Sequence, residues 1–224
     1  MPWNAAAPEA LLAAMVFACV LAAVLSQAVW VLPRRLDPGL SAVPDAHHRR
    51  LRAGLLAVSP LFAVACLWAF APGLAAASAI VFVLVLLALA WMDAETGLLP
   101  DLLTLPLLWL GLLVNLNGAF VPLQHAVLGA VAGYLALWVV YWGFLLCTGR
   151  EGMGHGDFKL LAALGAWLGW MALPWVLLIS ASLGLAVALG LRLAGRMKAG
   201  DALSFGPCLA LAGILALFVE PLRY

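Results

Sequence analysis

Residues 80–93 read Ile-Val-Phe-Val-Leu-Val-Leu-Leu-Ala-Leu-Ala-Trp-Met-Asp, an unbroken apolar run that ends at one acid. In hydrocarbon only a helix or a closed barrel satisfies the backbone hydrogen bonds, and about 20 apolar residues are needed to cross. Together with the apolar residues from Leu74 onward, this run is long enough to be a membrane-spanning helix. Asp93 is then predicted at or just inside the membrane interface, where a charge is costly and marks a candidate functional site.

Seven further apolar runs lie on either side of this one, and each is interpreted as a helix. The eight predicted helices cover residues 10–32, 53–71, 74–92, 102–116, 123–147, 160–171, 174–193 and 206–219. The fourth and sixth runs are short for a full span, so a count of seven stays open. The chain is 67% hydrophobic and 9% charged, whereas a soluble domain has roughly 25% charged residues. The sequence therefore predicts one all-α polytopic membrane bundle over residues 1–224.

Basic residues predict the orientation of these helices. If the N-terminus is external and every run spans, ten of the eleven Lys and Arg residues fall on one side. They are Arg34, Arg35, Arg49, Arg50, Arg52, Arg150, Lys159, Arg192, Arg196 and Lys198. This positive-inside pattern predicts external termini and places the loops that carry Asp93 and Asp157 at the cytoplasmic face. Because no basic residue precedes the first run, we expect it to be a retained helix rather than a removable signal peptide.

A second acid, Asp157, follows three alternating glycines, Gly152, Gly154 and Gly156. Glycine allows backbone angles and close approaches that other residues do not, so this stretch is predicted to hold Asp157 against another element. The alternative is a flexible loop in which Asp157 caps a helix that starts at Phe158. The stretch does not match the dinucleotide fingerprint GxGxxG, and no predicted strand precedes it, which argues against a nucleotide cofactor.

Together the two acids predict a catalytic pair. Two carboxylates held close together in a poorly solvated place cannot both ionise easily, so they share one proton. In aspartic-protease chemistry the ionised carboxylate takes a proton from water while the protonated one polarises the scissile carbonyl. We therefore expect Asp93 and Asp157 to be the catalytic acids of a protease that needs no metal. For Asp93 taken alone, an ordinary solvated loop acid is the alternative.

Other kinds of site find less support. The histidines lack the HExxH spacing of a zinc peptidase and do not suggest a serine triad. They are His47, His48, His125 and His155, of which the first two are expected to be solvated and the last neighbours Asp157. The cysteines lie singly in apolar surroundings and are interpreted as small buried hydrophobic residues. The scattered basic residues form no stripe that could follow nucleic acid phosphates.

Two further charged residues lie near the predicted pair. Asp101 follows Pro100 at the start of an apolar run, so we predict a helix N-cap there and keep Asp101 as a reserve catalytic acid. Lys159 would favour the ionised form of a nearby acid, or would be an ordinary basic residue at the cytoplasmic interface. Glu95 is expected to be solvated.

The acidic motifs resemble those of the bacterial type IV prepilin peptidases, membrane aspartyl proteases that process prepilins and type II secretion pseudopilins. Residues 93–106, continuing to Gly111 and Asn115, are similar to the first catalytic block of the family, and residues 152–169 are similar to its GxGD block. The stretch Phe205-Gly206-Pro207 also resembles a family segment. The resemblance implies that Asp93 and Asp157 are catalytic and that Asp101 is not. It also implies cleavage after a glycine, at the cytoplasmic face of the inner membrane, in substrates with a basic leader and a hydrophobic helix.

One departure from the family concerns the link between the first two helices. Many bacterial relatives insert a cytoplasmic domain with two CxxC pairs there, whereas residues 33–52 form only a short basic loop in place of a zinc-binding insert. In bifunctional members that region has been tied to N-methylation of the new pilin terminus by S-adenosylmethionine. The sequence therefore favours cleavage without a cofactor, with S-adenosylmethionine required only if methylation is retained. The expected partners are prepilin or pseudopilin helices and membrane lipid, and not nucleic acid.

Two rival functions make different demands on the sequence. An ion-coupled transporter or proton channel would place polar groups near the bilayer midplane, often in repeated halves, whereas the acids here cluster towards one face. A noncatalytic assembly subunit would explain the small residues inside the helices but gives the glycine-rich acidic motif no purpose. The sequence therefore favours a peptidase.

Overall fold

The computed structural model describes residues 8–37, 39, 46–70, 72–149, 153–196 and 204–219. These residues form helices and turns without a strand, and the prediction of an all-α fold with eight helices is confirmed. The helices are α1 (Pro8–Leu36), α2 (Ala46–Phe70), α3 (Leu74–Thr96), α4 (Asp101–Val114), α5 (Leu123–Thr148), α6 (His155–Leu168), α7 (Leu173–Leu193) and α8 (Gly206–Phe218). Short 3-10 turns at Asn115–Asn117 and Trp170–Ala172 follow α4 and precede α7.

Among the described residues, five helices are long and apolar enough to cross a membrane, namely α1, α2, α3, α5 and α7 with its preceding 3-10 turn. The other three, α4, α6 and α8, have 14, 14 and 13 residues. At about 1.5 Å per residue such helices rise about 20 Å, less than the roughly 30 Å of hydrocarbon. The sequence predicts that the fourth and sixth runs are short, and the structure shows that α8 is short as well. The crossing of all eight and the external termini stay predictions.

Helix ends extend into the predicted link at residues 33–52. The last turn of α1 includes Arg34 and Arg35, where positive charge complements the helix dipole. The first turns of α2 carry further arginines that the sequence places in a loop. The middle of the link, residues 38 and 40–45, lies outside the described residues, as do both ends of the chain, Arg150 to Gly152 and the 197–203 stretch. The short basic link and the single peptidase domain therefore stay predictions.

Contacts between residues divide the chain into two compact units, residues 1–92 and residues 93–224. In the first unit α1 packs on α2, with alanines such as Ala18, Ala22 and Ala63 fully buried. His48 lies between the rings of Trp30 and Trp91, 4.5 and 4.7 Å from their centroids. The expectation of a solvated His48 is therefore wrong, because α2 begins before this residue and turns it into the core.

The second unit is built around α6, whose residues from Leu160 to Leu168 are all buried. Its backbone touches that of α5, since a methyl group added at Gly129 would collide with the carbonyl of Gly165. A methyl group at Gly133 would lie 2.6 Å from the carbonyl oxygen of Leu161. Glycines at these positions therefore let α5 and α6 approach closely.

The side chain of Asn115, in the 3-10 turn after α4, connects this turn to the C-terminal end of α6. The buried amide of Asn115 donates to the carbonyl oxygens of Ala166 and Trp167, at 2.9 and 3.2 Å. Its carbonyl oxygen accepts from the backbone N–H groups of Phe120 and Val121 at 3.0 and 3.1 Å. Every hydrogen-bonding position of the amide is therefore used, as a buried polar group requires.

Candidate active site

Asp93 lies in the last turn of α3 and is buried, with 6% of its surface exposed. The sequence predicts a helix that ends at Met92, but α3 continues to Thr96. It stops at Gly97, which has a left-handed φ of 66° and donates its N–H to the carbonyl oxygen of Asp93 at 2.8 Å. A glycine in this conformation is the usual end of a helix. Asp93 is therefore fixed on a helical turn, and the alternative of a solvated loop acid is wrong.

The segment before and at the start of α8 contacts both the side chain and the backbone of Asp93. The backbone N–H of Gly206 donates to Oδ2 of Asp93 at 3.0 Å. The hydroxyl of Ser204 donates to the Asp93 carbonyl oxygen at 2.9 Å. Sequence reasoning missed Ser204 and gave Gly206 no role, and its only signal was the resemblance of residues 205–207 to a family segment.

Asp157 lies in the first turn of α6 and is also buried, with 6% of its surface exposed. The helix begins at His155, the N-cap position is Gly154, and no side chain makes a capping hydrogen bond there. The alternative in which Asp157 caps a helix from Phe158 is therefore wrong. Because the helix starts three residues earlier than that alternative requires, the carboxylate has no capping role.

The structure brings the two predicted acids together. The pKa of Asp157 is raised to about 7, mainly by burial and in addition by the negative charge of Asp93. Asp157 precedes the apolar part of α6, which begins at Leu160. A carboxyl group with such a pKa holds a proton near neutral pH beside a second carboxylate, which is the arrangement that acid–base catalysis by two aspartates requires.

The glycines before Asp157 differ in what surrounds them. A methyl group at Gly156 would lie 2.7 Å from Cβ of Leu99, so only glycine lets α6 approach the 97–100 turn this closely. A methyl group at Gly154 would meet nothing within 4 Å, and Gly152 lies outside the described residues. Close approach is therefore found at Gly156 and not at Gly154.

Asp101 and Lys159 form an ion pair at 2.6 Å that joins the first turns of α4 and α6. Pro100 occupies the N-cap position of α4 without a capping side chain, so the prediction of Asp101 as the N-cap is wrong. Asp101 is instead the first helical residue, where a negative charge favours the helix dipole. The side chains of Asp101 and Lys159 are 56% and 30% exposed, and an exposed pair contributes about 1 kcal/mol or less.

His155 lies on an aromatic cluster. Its ring is 5.0 Å from the ring of Tyr141 and 5.4 Å from that of Phe158. In the described part of the chain, no three His, Cys, Asp or Glu side chains are grouped so that they could hold a metal ion. The contacts of His155 therefore indicate packing at the start of α6.

Comparisons with known proteins relate this chain to leader peptidases. Residues 80–189 match the type IV leader peptidase family. The chain is 54% identical over 160 residues to a prepilin leader peptidase/N-methyltransferase of Aeromonas hydrophila, an alignment that covers 71% of this chain and 55% of the relative. A protein of the same name from Dickeya chrysanthemi is 55% identical over 151 residues, which are 67% of this chain and 53% of the relative.

A third relative with that name, from Burkholderia pseudomallei, is 54% identical over 160 residues, 71% of this chain and 52% of the relative. The chain thus spans about half the length of the curated relatives it matches. No solved structure matches this chain.

Proposed function

We propose that this chain, which belongs to the type IV leader peptidase family, is a membrane aspartic endopeptidase that removes the leader from type IV prepilins or type II secretion pseudopilins. The observation that carries the proposal is the pair of buried carboxylates, Asp93 and Asp157, which stand at a helix end and a helix start within electrostatic reach of each other. The relatives are named as prepilin leader peptidases. The transporter alternative finds no support among them.

The two carboxyl groups suit hydrolysis of a peptide bond. One ionised carboxylate accepts a proton from water, and the oxygen of that water attacks the scissile carbonyl. The protonated carboxyl polarises the same carbonyl, and the departing amine takes up a proton as the C–N bond breaks. Burial of both acids strengthens these interactions, since charges interact more strongly away from bulk water.

The substrate would approach through the membrane. A hydrophobic substrate helix can pack beside the apolar helices in lipid, which leaves its basic leader at the cytoplasmic face. The positive-inside distribution of arginines and lysines supports cleavage on that side of the bacterial inner membrane, with both termini external. Lys159, which pairs with Asp101 of α4, lies two residues after Asp157 in α6.

Methylation by S-adenosylmethionine is not part of the proposal. The relatives carry N-methyltransferase in their names, yet this chain spans about half of their length. One cavity of about 300 Å³ in the first unit and one of about 370 Å³ in the second are lined almost wholly by apolar side chains. These two cavities offer almost no polar groups to a charged, nucleoside-containing methyl donor.

A cleavage assay in proteoliposomes tests the proposal. We expect the wild type to shorten a prepilin, whereas Asp93→Asn and Asp157→Asn insert normally and leave it uncut, because each removes a titrating carboxyl. Asp101→Asn is the matched control, an exposed acid near the site, and retains cleavage. Normal cutting by either of the first two variants would remove that residue from the site, and total loss in the control would move the assignment to Asp101.

A further inference from the structure

Asp93 and Asp157 have different hydrogen-bond surroundings. Oδ2 of Asp93 accepts a hydrogen bond from the N–H of Gly206 at 3.0 Å. Among the residues that the structure describes, none donates a hydrogen bond to the carboxylate of Asp157. The backbone N–H of Asp157 donates to the carbonyl oxygen of Gly154 at 3.2 Å. A backbone N–H donates and cannot accept, so it stabilises a charged carboxylate more than a neutral acid. The dyad is therefore built asymmetrically.

The contact with Asp93 depends on glycine at position 206. A methyl group there would lie 2.6 Å from Oδ2 of Asp93 and 2.9 Å from its Cγ. Any other residue would displace either the carboxylate or the start of α8. The hydroxyl of Ser204, 2.9 Å from the Asp93 carbonyl oxygen, holds the same residue by its backbone. Side chain and main chain of Asp93 are thus both fixed by one short segment, residues 204–206.

We propose that Gly206 is a positioning residue of the active site, which keeps Asp93 as the ionised base of the dyad and leaves the shared proton on Asp157. This inference rests on the proposed function and assigns a separate role to each acid. Ser204 supports it by fixing the end of α3 against the segment that carries Gly206.

The assignment gives a balanced reaction. Asp93 takes a proton from water, the water oxygen bonds to the carbonyl carbon, and Asp157 gives its proton to the carbonyl oxygen. The resulting diol then collapses: the C–N bond breaks, the amine takes the proton from Asp93, and one diol hydroxyl returns a proton to Asp157. The products are a carboxylic acid and an amine, and the dyad is restored with Asp93 ionised and Asp157 protonated.

Titratable groups on the surrounding helices do not reverse the assignment. From α8, the thiol of Cys208 lies within electrostatic reach of Asp93. A protonated thiol carries no charge and so does not change which acid is ionised. From α6, Lys159 is engaged by Asp101 of α4 at 2.6 Å, and His155 rests on the ring of Tyr141 from α5. Asp93 is the charged group that acts on Asp157.

Infrared titration tests which acid carries the proton, without any substrate. In reconstituted wild-type protein near pH 6 we expect a carboxylic acid C=O band that is absent from Asp157→Asn. In Asp93→Asn the band should persist and titrate at lower pH, because the neighbouring negative charge is gone. A band that disappears in Asp93→Asn and survives unchanged in Asp157→Asn would place the proton on Asp93 and overturn the inference. Since cleavage is not measured, this result is independent of the proposed substrate.

The variant Gly206→Ala tests the positioning role. We expect kcat to fall about 10- to 100-fold, the effect of one hydrogen bond to a charged group, with KM little changed and the acidic limb of the pH profile moved to higher pH. Gly190→Ala is the control, because a methyl group at Gly190 meets nothing within 4 Å. If activity falls only in proportion to the amount of folded protein and the acidic limb keeps its wild-type position, the role of Gly206 is merely structural and the proposal is wrong. If Gly206→Ala does not fold, the infrared titration decides alone.

Discussion

A single aspartate, Asp157, links the folding free energy of this protein to pH. Its pKa is raised from 3.8 to about 7, mainly by burial. Between those values the folded state keeps a proton that the unfolded state has lost, so stability falls as pH rises through this window and the full penalty is present above it. Near pH 3 both states are protonated and the penalty vanishes.

The variant Asp157→Asn should therefore be more stable than the wild type at pH 8, by up to about 4 kcal/mol, and equally stable near pH 3. Thermal unfolding in detergent at the two pH values measures this difference through Tm. Asp101→Asn removes an exposed aspartate and should show no gain confined to high pH. An equal Tm for Asp157→Asn and the wild type at pH 8 would contradict the burial of a costly charge at this position.

A second residue-level prediction concerns the buried amide of Asn115. Asn115→Ala removes four hydrogen bonds, two accepted from the N–H groups of Phe120 and Val121 and two donated to carbonyl oxygens of α6. Each such bond contributes about 0.5–1.5 kcal/mol. We expect a loss of several kcal/mol in the free energy of unfolding, measured by denaturation in detergent. Asn117→Ala, in the same 3-10 turn but exposed, is the control and should change stability little. Equal stability of both variants would mean that water replaces the lost contacts.

At the scale of helices, the crossing of α5 and α6 depends on glycine. The backbones at Gly129 and Gly165 touch, so Gly129→Ala forces the two helices apart. Overpacking of this kind costs about 1–3 kcal/mol and more when backbone cannot move. Because α6 carries Asp157, we expect lower Tm together with reduced cleavage.

Gly143→Ala provides the matched control for that helix pair. It changes a glycine of the same helix at a position where a methyl group meets nothing within 4 Å. The control should keep its activity and hold or raise its Tm, since alanine favours the helix. A Gly129→Ala variant as stable and active as Gly143→Ala would show that the two helices can separate without consequence.

The sequence predicts these helices better than it predicts their ends. Long apolar runs define α1, α2, α3, α5 and α7, because the hydrophobic length needed in lipid leaves a strong pattern. The extension of α3 past Asp93 depends on one left-handed glycine, Gly97, and such an end is easily placed a turn early. The start of α6 at His155 is likewise hidden inside a glycine-rich stretch that also suits a loop.

Pairings between distant elements were beyond sequence reasoning. Asp93 and Asp157 could be matched through shared chemistry and the family resemblance. No local sequence pattern indicates that the N–H of Gly206 donates to Asp93 or that Asn115 donates to α6. These contacts arise only when helices far apart in sequence pack together. The same holds for Asp101, whose partner is Lys159 rather than its own helix.

For the whole molecule, the distribution of arginines and lysines makes a prediction about topology. Asn117, in the turn after α4, is expected outside, and Cys147, near the end of α5, is expected inside. In a background with the other cysteines replaced, a membrane-impermeant maleimide should label Asn117→Cys in spheroplasts and should label Cys147 only after the membrane is opened. Labelling of both from outside would disprove the proposed orientation.

The contacts of residues 204–206 with Asp93 have a consequence for when the proposed active site is completed during synthesis. Ser204 and Gly206 lie 111 and 113 positions after Asp93, so they are synthesised much later than the acid that they contact. A nascent chain that has exposed both acids but has not yet inserted α8 lacks the group that fixes its base. The proposed peptidase would therefore become active only late in translation, and neighbouring nascent membrane proteins would not meet an active site before α8 is made.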